Sequence, residues 1–289
     1  MKKFLFFLIV PSMLLSGCNP NQSEINDGMP KQLNISILLD LSDRIVQDAV
    51  PSHEDRDIAI INNIIKYFRD DMAERGTFDA NGRLQVFMEP APAIPNIDQL
   101  QRQLLVDCSK MDVKQKKDVY DKIDSDFTSA LREIYLQTKE HSKFPGSDIW
   151  RFFQNKANDY CVKEDTNYRN ILIILTDGYI YDETTTLKVG SRVQNLTPNT
   201  IQKYRSLQDP VTAMQNDDFG LVVPKNVDLN RLEVLVLEVS PNNNNQKDEQ
   251  ILIYCIEKWL KEMGGEHYAV YTSDLPANTL RRIEQFLDD

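Results

Sequence analysis

Uninterrupted apolar runs alternate with longer amphipathic stretches along this chain. Residues 33–39, 171–175 and 232–239 are rich in Ile, Leu and Val and are bounded by polar turn residues, which predicts strands buried on both faces of a sheet. Shorter runs at 84–88 and 267–271 predict two more strands. Between them, residues 55–73 carry Ile58, Ile61, Ile64, Ile65, Phe68 and Met72 at helical spacing, with charges on the intervening positions. That spacing predicts an amphipathic helix lying on the sheet. The same periodicity predicts helices over 98–106, 113–123, 126–138, 148–158, 250–263 and 276–287. Strands alternating with helices imply βαβ units, and so an α/β fold: a doubly wound, mainly parallel central sheet with helices on both faces, Rossmann-like in its layering. Two stretches interrupt the alternation, 90–165 with its Pro-rich opening and the polar segment 179–226. Both read as insertions within one domain spanning 31–289.

The first thirty residues follow another pattern. Lys2 and Lys3 precede an apolar stretch over 4–15, then Ser16, Gly17 and Cys18, which reads as a secretory signal peptide over 1–17. The stretch is shorter than the ~20 residues needed to span a bilayer. Leu15-Ser16-Gly17-Cys18 resembles the lipobox of bacterial lipoproteins, and the resemblance implies cleavage before Cys18 and lipidation of that residue. Residues 18–30, nearly free of apolar side chains after the cysteine, read as a flexible tether. The expected location is therefore the bacterial cell envelope, on the periplasmic face or at the cell surface, with the membrane reached through the lipid on Cys18.

Charge narrows the partners. The net charge is −11 over the whole chain; removing Lys2 and Lys3 from the 33 basic residues leaves 31 against 44 acidic ones, a net of −13. So acidic a protein repels nucleic acid and has no basic face for anionic headgroups, which leaves the lipid as the membrane anchor. Apart from Cys18 the cysteines are Cys108, Cys161 and Cys255. Cys255 lies on the apolar stripe of 250–263 and reads as a core thiol, whereas Cys108 and Cys161 flank a charge-rich region and are candidates for a disulfide in an oxidising compartment.

Two of the apolar runs end in carboxylates: 33–39 leads into Asp40-Leu41-Ser42-Asp43-Arg44, and 171–175 into Thr176-Asp177-Gly178. Ligands bind at the carboxyl ends of strands in parallel sheets. If the two strands are neighbours, Asp40, Ser42 and Asp177 meet as hard oxygen ligands suited to Mg2+, Mn2+ or Ca2+. Asp and Ser also follow strands simply to cap helices and satisfy turns, so that reading stays open here.

These motifs resemble the von Willebrand factor A (vWA) domain, a doubly wound fold with a metal-ion-dependent adhesion site at its carboxyl edge. The family's Asp-x-Ser-x-Ser is matched at Asp40 and Ser42, and its later Asp-Gly at Asp177-Gly178; aligning residues 125–131 with Thr-x-x-x-x-Ala-Leu puts Ser125 at the Thr position. The resemblance implies a metal site of Asp40, Ser42, Ser125 and Asp177, with a coordination position left open for a partner's carboxylate. Arg44 departs from the pattern, standing where the third Ser belongs. Pointing inward, it would bridge Asp40 and Asp177 and close the site as a metal-free ion pair. Pointing outward, it leaves four oxygens with water to complete an octahedron, and Asp43 is then free to neutralise Arg44 or to act through water.

The expected function is a lipid-anchored cell-envelope binding module, contacting a protein through the carboxyl edge of the sheet and dependent on a divalent cation if Arg44 permits. No catalytic residues are assigned: no His adjoins either motif, and no nucleophile–base pair is evident. Two alternatives stand beside it. One is a phosphatase-like, metal-dependent hydrolase with Asp40 as nucleophile and Asp177 as ligand; the other is a metal-free scaffolding lipoprotein.

Overall fold

The three long apolar runs become the middle of a single sheet. The structure, a computed structural model, describes residues 30–140, 144, 146–184, 186–241 and 246–288. The signal peptide, Cys18 and nearly all of the tether lie outside them. Strand β1 (Gln32–Leu39) pairs with β2 (Arg83–Met88) on one side and β4 (Tyr168–Leu175) on the other, all parallel. Beyond β4 follow β8 (Glu233–Val239) and β9 (Tyr268–Thr272), also parallel, while β3 (Leu105–Asp107) closes the other edge antiparallel to β2. The order is β3-β2-β1-β4-β8-β9.

Successive side chains of a strand face opposite sides, so each central strand feeds two cores. Ile35, Ile37, Leu39, Ile173, Leu175 and Leu235 pack on one face beneath α1 (His53–Asp79), α3 (Val113–Glu140) and α8 (Pro276–Asp288). Leu38, Leu172, Ile174, Val234 and Val236 pack on the other face with α4 (Ile149–Asn155) and α7 (Gln246–Glu262). Burial on both faces is why these strands are apolar throughout rather than alternating. A mixed α/β architecture around a mainly parallel sheet is thus what the sequence predicts and what the chain forms.

Several elements differ from expectation, each for a local reason. The helix expected over 98–106 stops as α2 (Ile97–Gln103), because Val106 and Asp107 turn inward and the backbone there pairs with the open edge of β2. The helices expected over 113–123 and 126–138 are one, α3. Its buried stripe of Ile123, Phe127, Leu131 and Ile134 runs unbroken across the join, where neither Pro nor Gly intervenes. Helix α1 outruns its predicted end and turns at Gly76, whose φ of 74° suits glycine.

The polar segment 179–226 has elements of its own. It holds three two-residue strands, β5 (Lys188–Val189), β6 (Arg192–Val193) and β7 (Gly220–Leu221), and two short helices, α5 (Pro198–Arg205) and α6 (Pro210–Asn216). Thr197 and Thr200 form a reciprocal capping box on α5, and Asp209 caps α6. Ile201, Tyr204, Met214 and Phe219 join the second core.

Cys108 and Cys161 do not form the expected disulfide. Both are buried free thiols, and they lie in different cores, Cys108 beneath the α1 face and Cys161 on the α4 face, so the sheet separates them. Burial pushes the Cys108 thiol up to about 11 and the Cys161 thiol up to about 12, which keeps both protonated and unreactive. A thiol-reactive dye should therefore label none of the three cysteines in the native domain from Lys31 onward and all three in denaturant, with dithiothreitol leaving the melting temperature unchanged. Labelling of only one cysteine in unreduced, denatured protein would show that a disulfide exists.

Candidate functional site

Every parallel strand of the sheet carries a carboxylate at or just past its carboxyl end. They are Glu89 after β2, Asp40 after β1, Asp177 after β4, Glu238 near the end of β8 and Asp274 after β9. The strand register aligns Met88, Leu39, Leu175 and Leu237, so these carboxylates form a row along one edge. The outer members each have a basic partner. Lys156 pairs with Glu89, Arg282 with Asp274 at 2.9 Å, and Arg56 clasps Glu238 through two hydrogen bonds of 2.6 and 2.9 Å. Glu238 takes a φ of 69°, a strained value for a side chain of its kind, at a point where the β8–β9 register shifts.

The central two members stand apart. Chain order runs outward from β1 through β2 to β3 on one side and from β4 through β8 to β9 on the other, so Asp40 and Asp177 flank the switch point of the sheet, the crevice where such folds bind ligands. Asp40 and Asp177 are 2% and 4% exposed. Asp40 Oδ1 accepts from the Ser42 N–H at 2.8 Å and Oδ2 from the Thr176 hydroxyl at 2.7 Å. Asp177 Oδ1 accepts from the Tyr179 N–H at 2.9 Å. Among the described residues, Asp177 has no ion pair and Asp40 has only Arg44, whose Nε lies 4.0 Å from Oδ2. Burial, reinforced by the charge of Asp40, pushes the Asp177 carboxyl up to about 7.

Arg44 takes neither of the two orientations weighed from the sequence. It is fully buried, but it bridges elements rather than carboxylates: Nε donates to the Asp40 carbonyl at 2.9 Å, and Nη2 donates to Asp57 Oδ2 at 2.5 Å and to the Leu175 carbonyl at 3.4 Å. Asp57, on the sheet-facing side of α1, also accepts a hydrogen bond from the Tyr135 hydroxyl of α3. Burial acts to lower the Arg44 pKa, but the charges of Asp57, Tyr135, Asp40 and Asp177 outweigh it and raise the value, so the guanidinium stays protonated. Burial lifts the Asp57 carboxyl above its ordinary range against the pull of Arg44 and of the Tyr135 hydrogen bond.

Of the residues expected at the site, Asp40, Ser42 and Asp177 come together and Ser125 does not. Ser125 sits within α3, exposed, its hydroxyl donating to the Lys122 carbonyl at 2.8 Å. Along that helix it lies ten residues, about 15 Å, before Tyr135, the residue that reaches the site. Its neighbour Asp124 pairs with Arg69, far down α1 from Asp57. The hydroxyl that reaches Asp40 belongs instead to Thr176, which also accepts from the Gly178 N–H at 3.1 Å. Asp43 points to solvent. Asp57 and Tyr135 escaped the sequence reading. The available signal was an aspartate four and seven positions before Ile61 and Ile64, on the apolar stripe of α1, where an acid must find a buried partner. His53, at the start of α1, also lies within the field of this cluster. Burial first and the Arg44 charge second lower its pKa.

No family model matches the chain, and no curated protein sequence matches it. Two buried carboxylates lie at neighbouring strand ends, each Asp40 oxygen keeps a lone pair beyond the bond it accepts, and Asp177 Oδ2 receives no donor among the described residues. Among those residues no group of three or more His, Cys, Asp or Glu side chains is arranged to hold a metal. An ion bound here would keep most of its shell as water, as Mg2+ habitually does.

Two outcomes follow from this geometry. Because the Asp177 carboxyl sits higher in the folded state, at about 7, than the ordinary 3.8, its contribution to stability is full below about pH 4 and is lost as pH rises through 7. In EDTA, the wild type should lose on the order of 2–4 kcal/mol relative to Asp177→Asn over that range, measured by urea unfolding; a pH-independent difference would contradict the assignment. Gly178 has a φ of 95°, and a Cβ there would meet Val239 Cγ1 at 2.9 Å. Gly178→Ala should therefore cost about 1–3 kcal/mol, and a loss within error of zero would show that the Asp177 turn relaxes freely.

Proposed function

We propose that this chain is a lipid-anchored, vWA-like binding module of the bacterial cell envelope, with a doubly wound fold whose carboxyl edge engages a protein partner through a divalent cation held by Asp40, Ser42 and Asp177. One observation carries the reading: among the described residues Glu89, Glu238 and Asp274 each have a close basic partner, whereas Asp177 has none and Asp40 has only Arg44 at 4.0 Å, a guanidinium whose shorter contact, at 2.5 Å, is to Asp57. Buried carboxylates left without a counter-charge are costly, and a bound cation removes that cost. The donors are hard oxygens, which suits Mg2+, Mn2+ or Ca2+ rather than softer metals. Once bound, the cation would supply a Lewis-acidic centre with exchangeable waters, one of which a partner's carboxylate can replace.

The order β3-β2-β1-β4-β8-β9 supports the finer fold assignment. The acidic charge and the Leu15-Ser16-Gly17-Cys18 motif support anchoring by lipid rather than by headgroup electrostatics. Among the described residues no helix is long and apolar enough to cross a membrane.

Thermal and urea unfolding of the domain from Lys31 onward tests the cation. Mg2+, Mn2+ or Ca2+ at a hundredfold excess over its dissociation constant should stabilise the fold by about 2.7 kcal/mol, reversibly with EDTA. Asp40→Ala and Asp177→Asn should each remove the response. If all three ions leave the wild type unmoved, the cation-dependent reading falls and the metal-free scaffold takes its place.

A further inference from the structure

A permanent cation buried 4.0 Å from Asp40 would ordinarily close a cation site, because a guanidinium on a flexible stem is the natural counter-ion for two adjacent carboxylates. Here its hydrogen bonds go instead to two strand-end carbonyls and to Asp57. Nε and Nη2 are held by the carbonyls of Asp40 and Leu175, the last positions before the two acidic turns, and Nη2 is drawn to Asp57 at 2.5 Å. Asp57 is in turn fixed by α1 on one side and by the Tyr135 hydroxyl of α3 on the other. Nη1 is buried with no hydrogen-bond partner among the described residues, so the guanidinium has spare donor capacity that it does not spend on the carboxylates of Asp40 and Asp177.

We infer that Asp57 is a positioning residue, which acts through Arg44: by holding the guanidinium against α1 it keeps Asp40 and Asp177 open to a divalent cation. This rests on the cation-binding reading above. Without Asp57 the nearest anions for Arg44 are those two carboxylates, and the arginine becomes the internal plug that the site is built to avoid. The Arg-for-Ser departure from the vWA motif still removes a ligand, but the arginine that replaces it is held back from the site, with Asp57 and Tyr135 as the catch.

The inference has two independent readouts on the domain from Lys31 onward. The first is Mn2+ affinity, from the concentration dependence of the melting temperature. Asp57→Asn should weaken it at least tenfold, and adding Arg44→Met to that variant should restore it to within about threefold of the wild type, although the double variant lacks the ion pair altogether. A merely structural role predicts the opposite order, with the double variant no better than the single. The second readout needs no metal: a crystal structure of metal-free Asp57→Asn should show the guanidinium moved between Asp40 and Asp177. A guanidinium still against α1 would overturn the inference whatever the metal does. A wild type that ignores Mn2+ would sink the cation-binding reading, while the crystal structure still decides whether Asp57 restrains Arg44. Should Asp57→Asn fail to fold, Tyr135→Phe removes one hydrogen bond from the catch and should weaken Mn2+ binding in the same direction; unchanged affinity there would count as refutation.

Discussion

The carboxyl edge of this sheet depends on the ion pair of Arg44 and Asp57. Arg44 ties the ends of β1 and β4 together through the carbonyls of Asp40 and Leu175, and Asp57 binds that junction to α1. Removing either partner would leave a charge buried without compensation, the situation in which a buried pair matters most. Tyr135 extends the link to α3, so two helices and two strands share one buried polar node beneath the acidic turns.

Everything placed above that node follows from the fold. Strands buried on both faces can carry almost no polar side chains along their length, so polar chemistry collects at their ends. Five parallel strands bring five carboxylates to one edge, and the sheet's order sets two of them at the switch point. Helices α1 and α8 supply Arg56 and Arg282 for the outer carboxylates, and Lys156, the residue just past α4, serves Glu89. The central pair is served by no helix in this way, and its turns instead satisfy it with short local hydrogen bonds from Ser42, Thr176 and Tyr179. Two buried carboxylates are thereby left side by side at the switch point of an already acidic protein, with Arg44, 4.0 Å from Asp40, their nearest counter-charge among the described residues.

The sequence and the structure agree where the signal is local. Residues 33–39, 171–175 and 232–239 show their strands through Ile, Leu and Val, and Asp40, Ser42 and Asp177 show their place at the edge by following those strands. They part where distant segments decide. Residues 105–107 become a strand only because β2 offers an open edge, and Ser125, chosen by a short motif, lies on a stretch of α3 that never reaches the crevice. Cys108 and Cys161 flank a charge-rich region in the sequence, but a sheet stands between them.

By itself the chain determined its strands and helices, its acidic character and the two acidic strand ends, since periodicity, charge and turn chemistry are properties of neighbouring residues. Tertiary structure alone decided which groups meet. Asp57 lies 13 residues from Arg44 and 78 from Tyr135, and only the packing of α1 and α3 against one face of the sheet brings the three together. No local pattern states whether a buried arginine turns toward one carboxylate or another. That choice belongs to the hydrogen-bond geometry of the assembled core, where desolvation raises the cost of an unpaired charge.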